Sequence, residues 1–187
     1  MRKYIIGDGT PDVSAAEQGW LDLERLAQVE ITSEAVDFPI ELALIPGTVM
    51  GWQAGQAGEQ TVRLLFDEPQ RVRRIHLVFH EDEQERTQEF VLRWSPDGGQ
   101  SYQEIVRQQF NFSPPGTSRE VEDYDVELSG VTILELKIVP DIGGGSARAS
   151  LAQLRLRNYL TNFGHEPKST ASHINISAAD GAGSKER

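Results

Sequence analysis

The sequence predicts an all-β protein, an antiparallel jelly-roll β-sandwich of about eight strands. Three observations carry that expectation. Apolar and polar residues alternate with period two over several short runs, as strands with one buried face require. Clusters of Gly, Pro and Asp that favour turns bound those runs. Helical periodicity is nearly absent, and short strands punctuated by regular turn signals indicate a sandwich or jelly roll.

The clearest element runs from Glu89 to Tyr102. Phe90, Leu92 and Trp94 alternate with Val91, Arg93 and Ser95, and Asp97-Gly98 supplies residues that tolerate positive φ in a hairpin turn. Upstream, Gly7-Asp8-Gly9-Thr10-Pro11-Asp12 is turn chemistry within an N-terminal extension, residues 1–26, expected to wrap the outside of the domain. Leu21, Leu23, Leu26 and Val29 fit neither period, so a turn or short helix should lead into a strand near Gln28–Thr32. Ser33–Gln60 reads as a long connection with Ile40, Leu42, Leu44 and Ile45 tucked inward. Val62, Leu64 and Phe66 form the next strand, ended by Asp67-Glu68-Pro69, and Ile75, Leu77 and Phe79 form another. Ile105 to Gln109 returns from the central hairpin. Tyr124, Val126 and Leu128 alternate with Asp123, Asp125 and Glu127, and Ser129-Gly130 reads as a tight turn into Leu134, Leu136 and Ile138. Ala152, Leu154 and Leu156 give the last strand. The sandwich is therefore expected over residues 27–160. Residues 161–187, rich in Ser, Ala, Gly and Lys, read as a disordered tail, since they cannot bury enough apolar surface to offset ordering.

Composition narrows the function. Lys and Arg number 18 against 29 Asp and Glu, for a net charge of −11. That balance argues against nucleic acid, whose affinity rests on cations neutralising phosphates, and against an anionic membrane surface. There is no cysteine, which excludes disulfides and thiolate metal centres. The first residues hold no apolar run long enough for a secretory signal, and no segment approaches the roughly 20 apolar residues of a membrane span. A cytoplasmic location is the default expectation, with export through a removed leader left open. Gly-x-Ser-x-Gly, His-Glu-x-x-His and P-loop motifs are all missing, so no enzyme is expected.

In order along the chain, several short motifs resemble the discoidin, or coagulation-factor C-type, domains of the galactose-binding-like jelly-roll fold. Val29-Glu30-Ile31-Thr32-Ser33-Glu34 sits where that family has its first strand and Thr/Ser-rich corner. Gly51-Trp52 is similar to its Gly-Trp, and Gln60 to Phe66 with Asp67 and Pro69 to the strand before its "LG-x-P" turn. Ser95-Pro96-Asp97-Gly98-Gly99-Gln100-Ser101-Tyr102 resembles its "S-x-DG-x-x-W" hairpin, with Tyr102 as the aromatic. Ala149 to Leu156 resembles its closing "A-x-L-x-E-L" strand. The resemblance covers roughly Ala27 to Arg157. It implies glycan binding or protein docking; the apolar spikes of lipid-binding members are missing from Ser33–Gly51, and so is the cystine of extracellular ones.

Hairpin connectivity puts the Asp97-Gly98 and Ser129-Gly130 turns at one end. Three longer loops, His80–Gln88, Gln109–Glu122 and Pro140–Arg148, fall at the other, where a ligand is expected. Arg86, Asn111 and Arg119 are the principal polar candidates, because guanidinium forks and planar amides suit sugar hydroxyls and carboxylates, although for each arginine pairing with the acidic loop at 80–85 is the preferred alternative. His80 and Gln109 accompany them. Trp52 could stack on a sugar ring, although its family match favours a core position. The run His80-Glu81-Asp82-Glu83-Gln84-Glu85 offers carboxylates to calcium, which takes six to eight oxygen ligands. Consecutive side chains rarely converge, so a solvated acidic loop is preferred and neither cofactor nor metal is expected. The favoured ligand is a carbohydrate. The alternative is a protein-interaction module using the same loops or strand addition at a sheet edge. Oligomeric state stays open.

Overall fold

Two long strands organise the sandwich of the computed structural model, which describes residues 19–48 and 50–159. The 161–187 tail and residues 1–18 of the expected N-terminal extension lie outside the described residues. In chain order the elements are α1 (Leu23–Leu26), β1 (Ala27–Ile31), α2 (Glu41–Leu44), β2 (Trp52–Ala57) and β3 (Gln60–His80). Then follow β4 (Arg86–Ser95), β5 (Gln103–Phe112), β6 (Arg119–Val139), β7 (Arg148–Leu151) and β8 (Gln153–Arg157).

Strands β3 and β6 pair antiparallel from Gln60↔Ile138 to His80↔Arg119, with an interruption between Leu65 and Arg74. Between Leu65 and Arg74 the register shifts repeatedly, and the inward-facing parity of β3 changes there. Val62, Leu64 and Phe66 are buried before the shift, and Ile75, Leu77 and Phe79 after it. The bend carries both strands from one layer into the other. Their Gln60 and Val139 halves pair with β1 and β4, with β5 beyond β4. The His80 half of β3 pairs with β8, and β2 and β7 form a separate two-stranded ribbon.

Two expected breaks are therefore not breaks. Asp67-Glu68-Pro69 does not end a strand; Pro69 falls among residues of β3 that have no ladder partner, where a missing N–H costs nothing. Ser129-Gly130 is not a hairpin turn either. Gly130 adopts φ 74° inside β6, a left-handed kink open to glycine, and the strand runs through it. The expected last strand divides at Ala152 into β7 and β8. With these regroupings the structure has eight strands.

The central hairpin forms as the sequence predicts. Asp97 accepts from the Ser95 and Ser101 hydroxyls at 2.7 and 2.6 Å, and from the Ser101 N–H at 2.9 Å. Phe90, Leu92, Leu134, Leu136 and Leu154 are fully buried, whereas Trp94 packs half-buried against the margin of the core. Phe79, Phe90, Phe110 and Phe112 stack in an aromatic cluster with centroids 5.0–6.1 Å apart. Trp20 lies 4.0 Å from the Arg157 guanidinium, and Leu21 N–H donates to Leu156 O at 2.8 Å, so the chain entering α1 packs on β8.

On the outer face, cross-strand neighbours form an alternating row of charge, Glu30–Arg63–Glu135–Arg93–Glu104. Glu135, its side chain 2% exposed, accepts from Arg63 Nε at 2.7 Å and Arg93 Nε at 2.9 Å. Burial pushes its carboxyl up, but the two guanidinium groups outweigh that and hold it below the usual range. Glu135→Ala should lower unfolding free energy by about 2–3 kcal/mol. Both arginines reach solvent, which keeps the loss under that of a fully buried pair. Denaturant melts measure this, and a change below about 0.5 kcal/mol would sink the account.

Asp123 shares its Oδ1 between Arg74 Nε and His76 Nδ1, each at 3.0 Å. Burial opposes ionisation there, yet these partners bring its pKa from 3.8 down to about 2. The folded state then binds fewer protons than the unfolded one between those values. Its contribution to stability is present above about pH 4 and lost as pH falls toward 2. Asp123→Asn should be less stable at neutral pH and lose less on acidification. An acid slope identical to the parent's would remove Asp123 from the explanation.

Candidate functional site

The loops 81–85, 113–118 and 140–147 meet at the end of the sandwich where β3 finishes, opposite the Asp97-Gly98 turn. They are shorter than the sequence predicts, because Arg86–Gln88 already belong to β4, Gln109–Phe112 to β5 and Arg119–Glu122 to β6. Backbone bonds join them: Glu81 N–H donates to Ser118 O at 2.8 Å, and Ile142 N–H to Thr87 O at 2.9 Å.

Arg86 lies beneath this junction and is 4% exposed. Its Nε donates to Glu81 Oε2 at 2.7 Å and its Nη1 to Gln88 Oε1 at 3.0 Å and to the Pro140 carbonyl. The Phe112 ring lies 5.3 Å from the guanidinium. The other Glu81 oxygen accepts from the Glu83 and Gln84 N–H groups at 2.8 and 3.1 Å. Burial pushes the Glu81 carboxyl up, but those two N–H groups and Arg86 overcome it and hold it below its usual value. Arg86 is thus corrected from ligand contact to internal tie, through the pairing with the acidic loop that was its alternative. A solvent-facing arginine before a strand and a buried one look alike in sequence; the Pro140 carbonyl that claims this one is far along the chain.

Of the other candidates, Trp52 is 1% exposed and cannot offer a ring face to a ligand, which corrects the stacking role. Gln109 and Asn111 lie on β5, where Gln109 Nε2 donates to Glu89 at 2.7 Å and Asn111 Oδ1 accepts from Thr87 at 2.6 Å. They belong to the strand surface rather than to a loop site. Arg119 is exposed and stands opposite His80 across the ladder.

What the fold assembles instead is a groove of about 480 Å³ between the 80–84 segment and the β2–β7 ribbon. His80, Asp82 and Glu83 line one wall, and Gln53, Arg148 and Ser150 the other. Trp52 and Ala147 are its buried lining, while half-buried Phe38 and the 60% exposed Met50 add apolar surface. Ser150 Oγ donates to the His80 carbonyl at 2.8 Å, clamping the two walls together. The Trp52 indole N–H meets no acceptor among the described residues. Arg148 and Ser150 were not among the sequence candidates. The signal was present, since Ala147, Ala149 and Leu151 are buried and alternate with them. Among the described residues no three His, Asp or Glu side chains gather as a metal site would require. No helix among them is long and apolar enough to cross a membrane.

Arg86→Ala should destabilise the protein by about 3–5 kcal/mol, since it strands the buried Glu81 carboxylate and the Pro140 carbonyl. Arg119→Ala, at an exposed position, should stay within about 0.5 kcal/mol. Thermal melts of both variants decide it; equal, small effects would mean the tie holds nothing.

No protein-family model and no curated protein matches the chain. Solved structures do. A CBM32 module of a family 31 glycoside hydrolase from Clostridium perfringens superposes with TM-score 0.55 over 77% of this chain and 97% of that one, at 15% identity. A pectin-binding carbohydrate-binding module gives TM-score 0.52, 18% identity, and coverage of 74% and 94%. The CBM32-5 module of CpGH89 from Clostridium perfringens, solved with GalNAc-β-1,3-galactose, gives 0.52, 17%, 74% and 99%. Against longer Clostridium perfringens ZmpB chains the match, at TM-score 0.55, spans 36% of one with two CBM32 domains and 15% of another that adds an M60 catalytic domain. The cytoplasmic location expected from the sequence gains no support from these neighbours. At such identities the likeness establishes architecture: the chain has the discoidin-like, galactose-binding-like jelly-roll fold that CBM32 modules share.

Proposed function

We propose that this chain is a non-catalytic carbohydrate-binding module whose ligand occupies the groove between the 80–84 segment and β7. The observation that carries the reading is the groove's mixed lining. A sugar presents hydroxyls that need donors and acceptors, and C–H faces that need apolar surface. Here Arg148, Gln53, His80 and Asp82 offer the first, and Phe38 and Met50 the second. A volume of about 480 Å³ lies within the roughly 300–1,000 Å³ of small-molecule sites. Arg148 is exposed and makes no ion pair among the described residues, so its guanidinium fork is free to grip adjacent hydroxyls. The solved neighbours, carbohydrate-binding modules by name, add support from the fold.

Chemistry at the groove supports binding without turnover. Ser150 turns its hydroxyl to the His80 backbone carbonyl instead of the imidazole, so this pair is not set up as nucleophile and base.

The full chain on a glycan array should retain a defined set of carbohydrates. Arg148→Ala and His80→Ala should each weaken that binding by about 1–3 kcal/mol, the cost of leaving a ligand polar group unpaired. Melting should be unaffected, and Gln100→Ala at the opposite end should bind as the parent does. A folded chain that retains no glycan would overturn the proposal.

A further inference from the structure

Strand β1 is an outermost strand of its sheet, and its free edge is patterned. Thr32 N–H donates to Thr61 O at 3.1 Å, in line with the β1–β3 register. By the alternation of an antiparallel ladder, Gln28 and Glu30 then also turn their backbone groups to β3, and Ala27, Val29 and Ile31 turn theirs away. The Ala27 N–H agrees, since it closes α1 on Leu23 O instead of joining the ladder. Among the described residues, the N–H and C=O groups of Val29 and Ile31 and the C=O of Ala27 meet no backbone partner. An open depression lined by Val29 to Thr32 runs along this edge.

Proteins commonly blunt such an edge with proline, lysine or a bulge. Strand β1 has none of these: it reads Ala-Gln-Val-Glu-Ile, and its register with β3 is unbroken. Residues 119–128 of β6 pair only with β3 and so leave an edge too, but they carry Glu120, Glu122, Asp123, Asp125 and Glu127. A copy paired there would set carboxylates against one another.

We propose that β1 is a docking edge for a second copy of this chain, the two β1 strands pairing antiparallel about a twofold axis through Val29. Each Val29 N–H then donates to the partner's Val29 C=O, and each Ile31 N–H to the partner's Ala27 C=O. Ala27, Val29 and Ile31 pack against the core, so their side chains meet on the inner face of the joined sheet. On the outer face each Gln28 amide meets the partner's Glu30 carboxylate across a non-hydrogen-bonded pair, where Cα atoms lie roughly 4.5 Å apart. Both side chains are exposed and held only by long contacts, Gln28 to Asp67 at 3.5 Å and Glu30 to Arg63 at 3.4 Å. Neighbouring registers fit worse. An axis through Glu30 opposes two carboxylates, and one through Gln28 leaves Ile31 unpaired and turns the Val29 C=O to the committed Ala27 N–H. Five residues a side fall short of the roughly 20–30 of a standard interface, so the dimer should be weak, with Kd of roughly 10 μM to 1 mM. None of this depends on the groove binding sugar.

Small-angle X-ray scattering of the full chain tests the pairing. Between about 10 μM and about 1 mM, forward scattering per unit mass should rise toward twice the monomer value and fall again on dilution. Gln28→Lys puts an ammonium opposite the partner's Glu30 on both sides and should tighten the dimer about threefold to tenfold, a gain lost in about 1 M salt. Gln28→Glu puts a carboxylate there and should weaken it by a similar factor. The chain has no cysteine, so a single introduced one reports the register. Val29→Cys should oxidise readily to a linked dimer, because hydrogen-bonded partners lie roughly 5.5 Å apart at Cα, within the roughly 4.4–6.8 Å that a disulfide spans. Glu30→Cys should link far more slowly, since its counterpart lies off the axis. A chain still monomeric at about 1 mM, a dimer indifferent to both Gln28 variants, or faster linkage through Glu30→Cys than through Val29→Cys overturns the inference.

Discussion

Everything at the loop end depends on one buried guanidinium. Arg86 starts β4, yet its contacts reach the segment after β3, the loop after β6 and the aromatic end of β5. Loops of this kind have little apolar surface of their own to bury. A charged donor with fixed fork geometry replaces that missing packing, since it can satisfy acceptors on several loops at once. The cost is desolvation of the ion, which Glu81 and the Phe112 face offset. Because Glu81 is held there, its second oxygen can gather two backbone N–H groups, and the 80–84 wall of the groove takes its form. The arginine that looked like a ligand contact acts on the ligand only through the wall that it fixes.

This arrangement marks where sequence reasoning succeeds and where it stops. Alternation is local, so Phe90, Leu92, Leu134, Leu136 and Leu154 could be placed in the core from their neighbours alone. Turn chemistry is local too, but ambiguous. Gly130 supplies the same positive φ to a hairpin turn and to a kink within a strand, and only the ladder to β3 distinguishes them. Pro69 misleads for a related reason: proline excludes a ladder donor, and an irregular stretch needs none. The end of the sandwich that carries the loops was legible, since it follows from chain connectivity. Which side chains point outward there was not. Thr87, Gln88 and Glu89 follow Arg86 with a strand's alternation, and the parity that buries Arg86 is fixed by pairing with β5 and β6. Arg148 entered the site because β7 pairs with β2; its outward parity was legible from the alternation with Ala147, Ala149 and Leu151, but the pairing of these distant segments was not.

Charge pairing sets two kinds of surface apart. On the outer face of the sheet, Glu135 is nearly enclosed by Arg63 and Arg93, and the row continues to Glu30 and Glu104. Acceptors there are already engaged, which leaves little for a partner to recognise. Around the groove Asp82, Glu83 and Arg148 have few or no partners among the described residues. The contrast locates recognition better than net charge does, because a saturated row and an open wall can contribute the same total.

The through-running pair of β3 and β6 bears on how the chain reaches this state. Loop-closure entropy grows with the length of chain enclosed. His80 and Arg119 are the nearest partners along the chain in this ladder, and Gln60 and Ile138 the most distant. Ordering of the ladder is thus cheapest from the His80 end, with β4 and β5 as the enclosed segment, and proceeds through the bend to the far layer. A topology dominated by such non-local pairings folds slowly compared with helical proteins of similar size. Strand β1 encloses only the chain from Ile31 to Val62 when it pairs with β3, so it can dock before the ladder is complete, and as the outermost strand it leaves an edge open to pairing with a neighbouring chain.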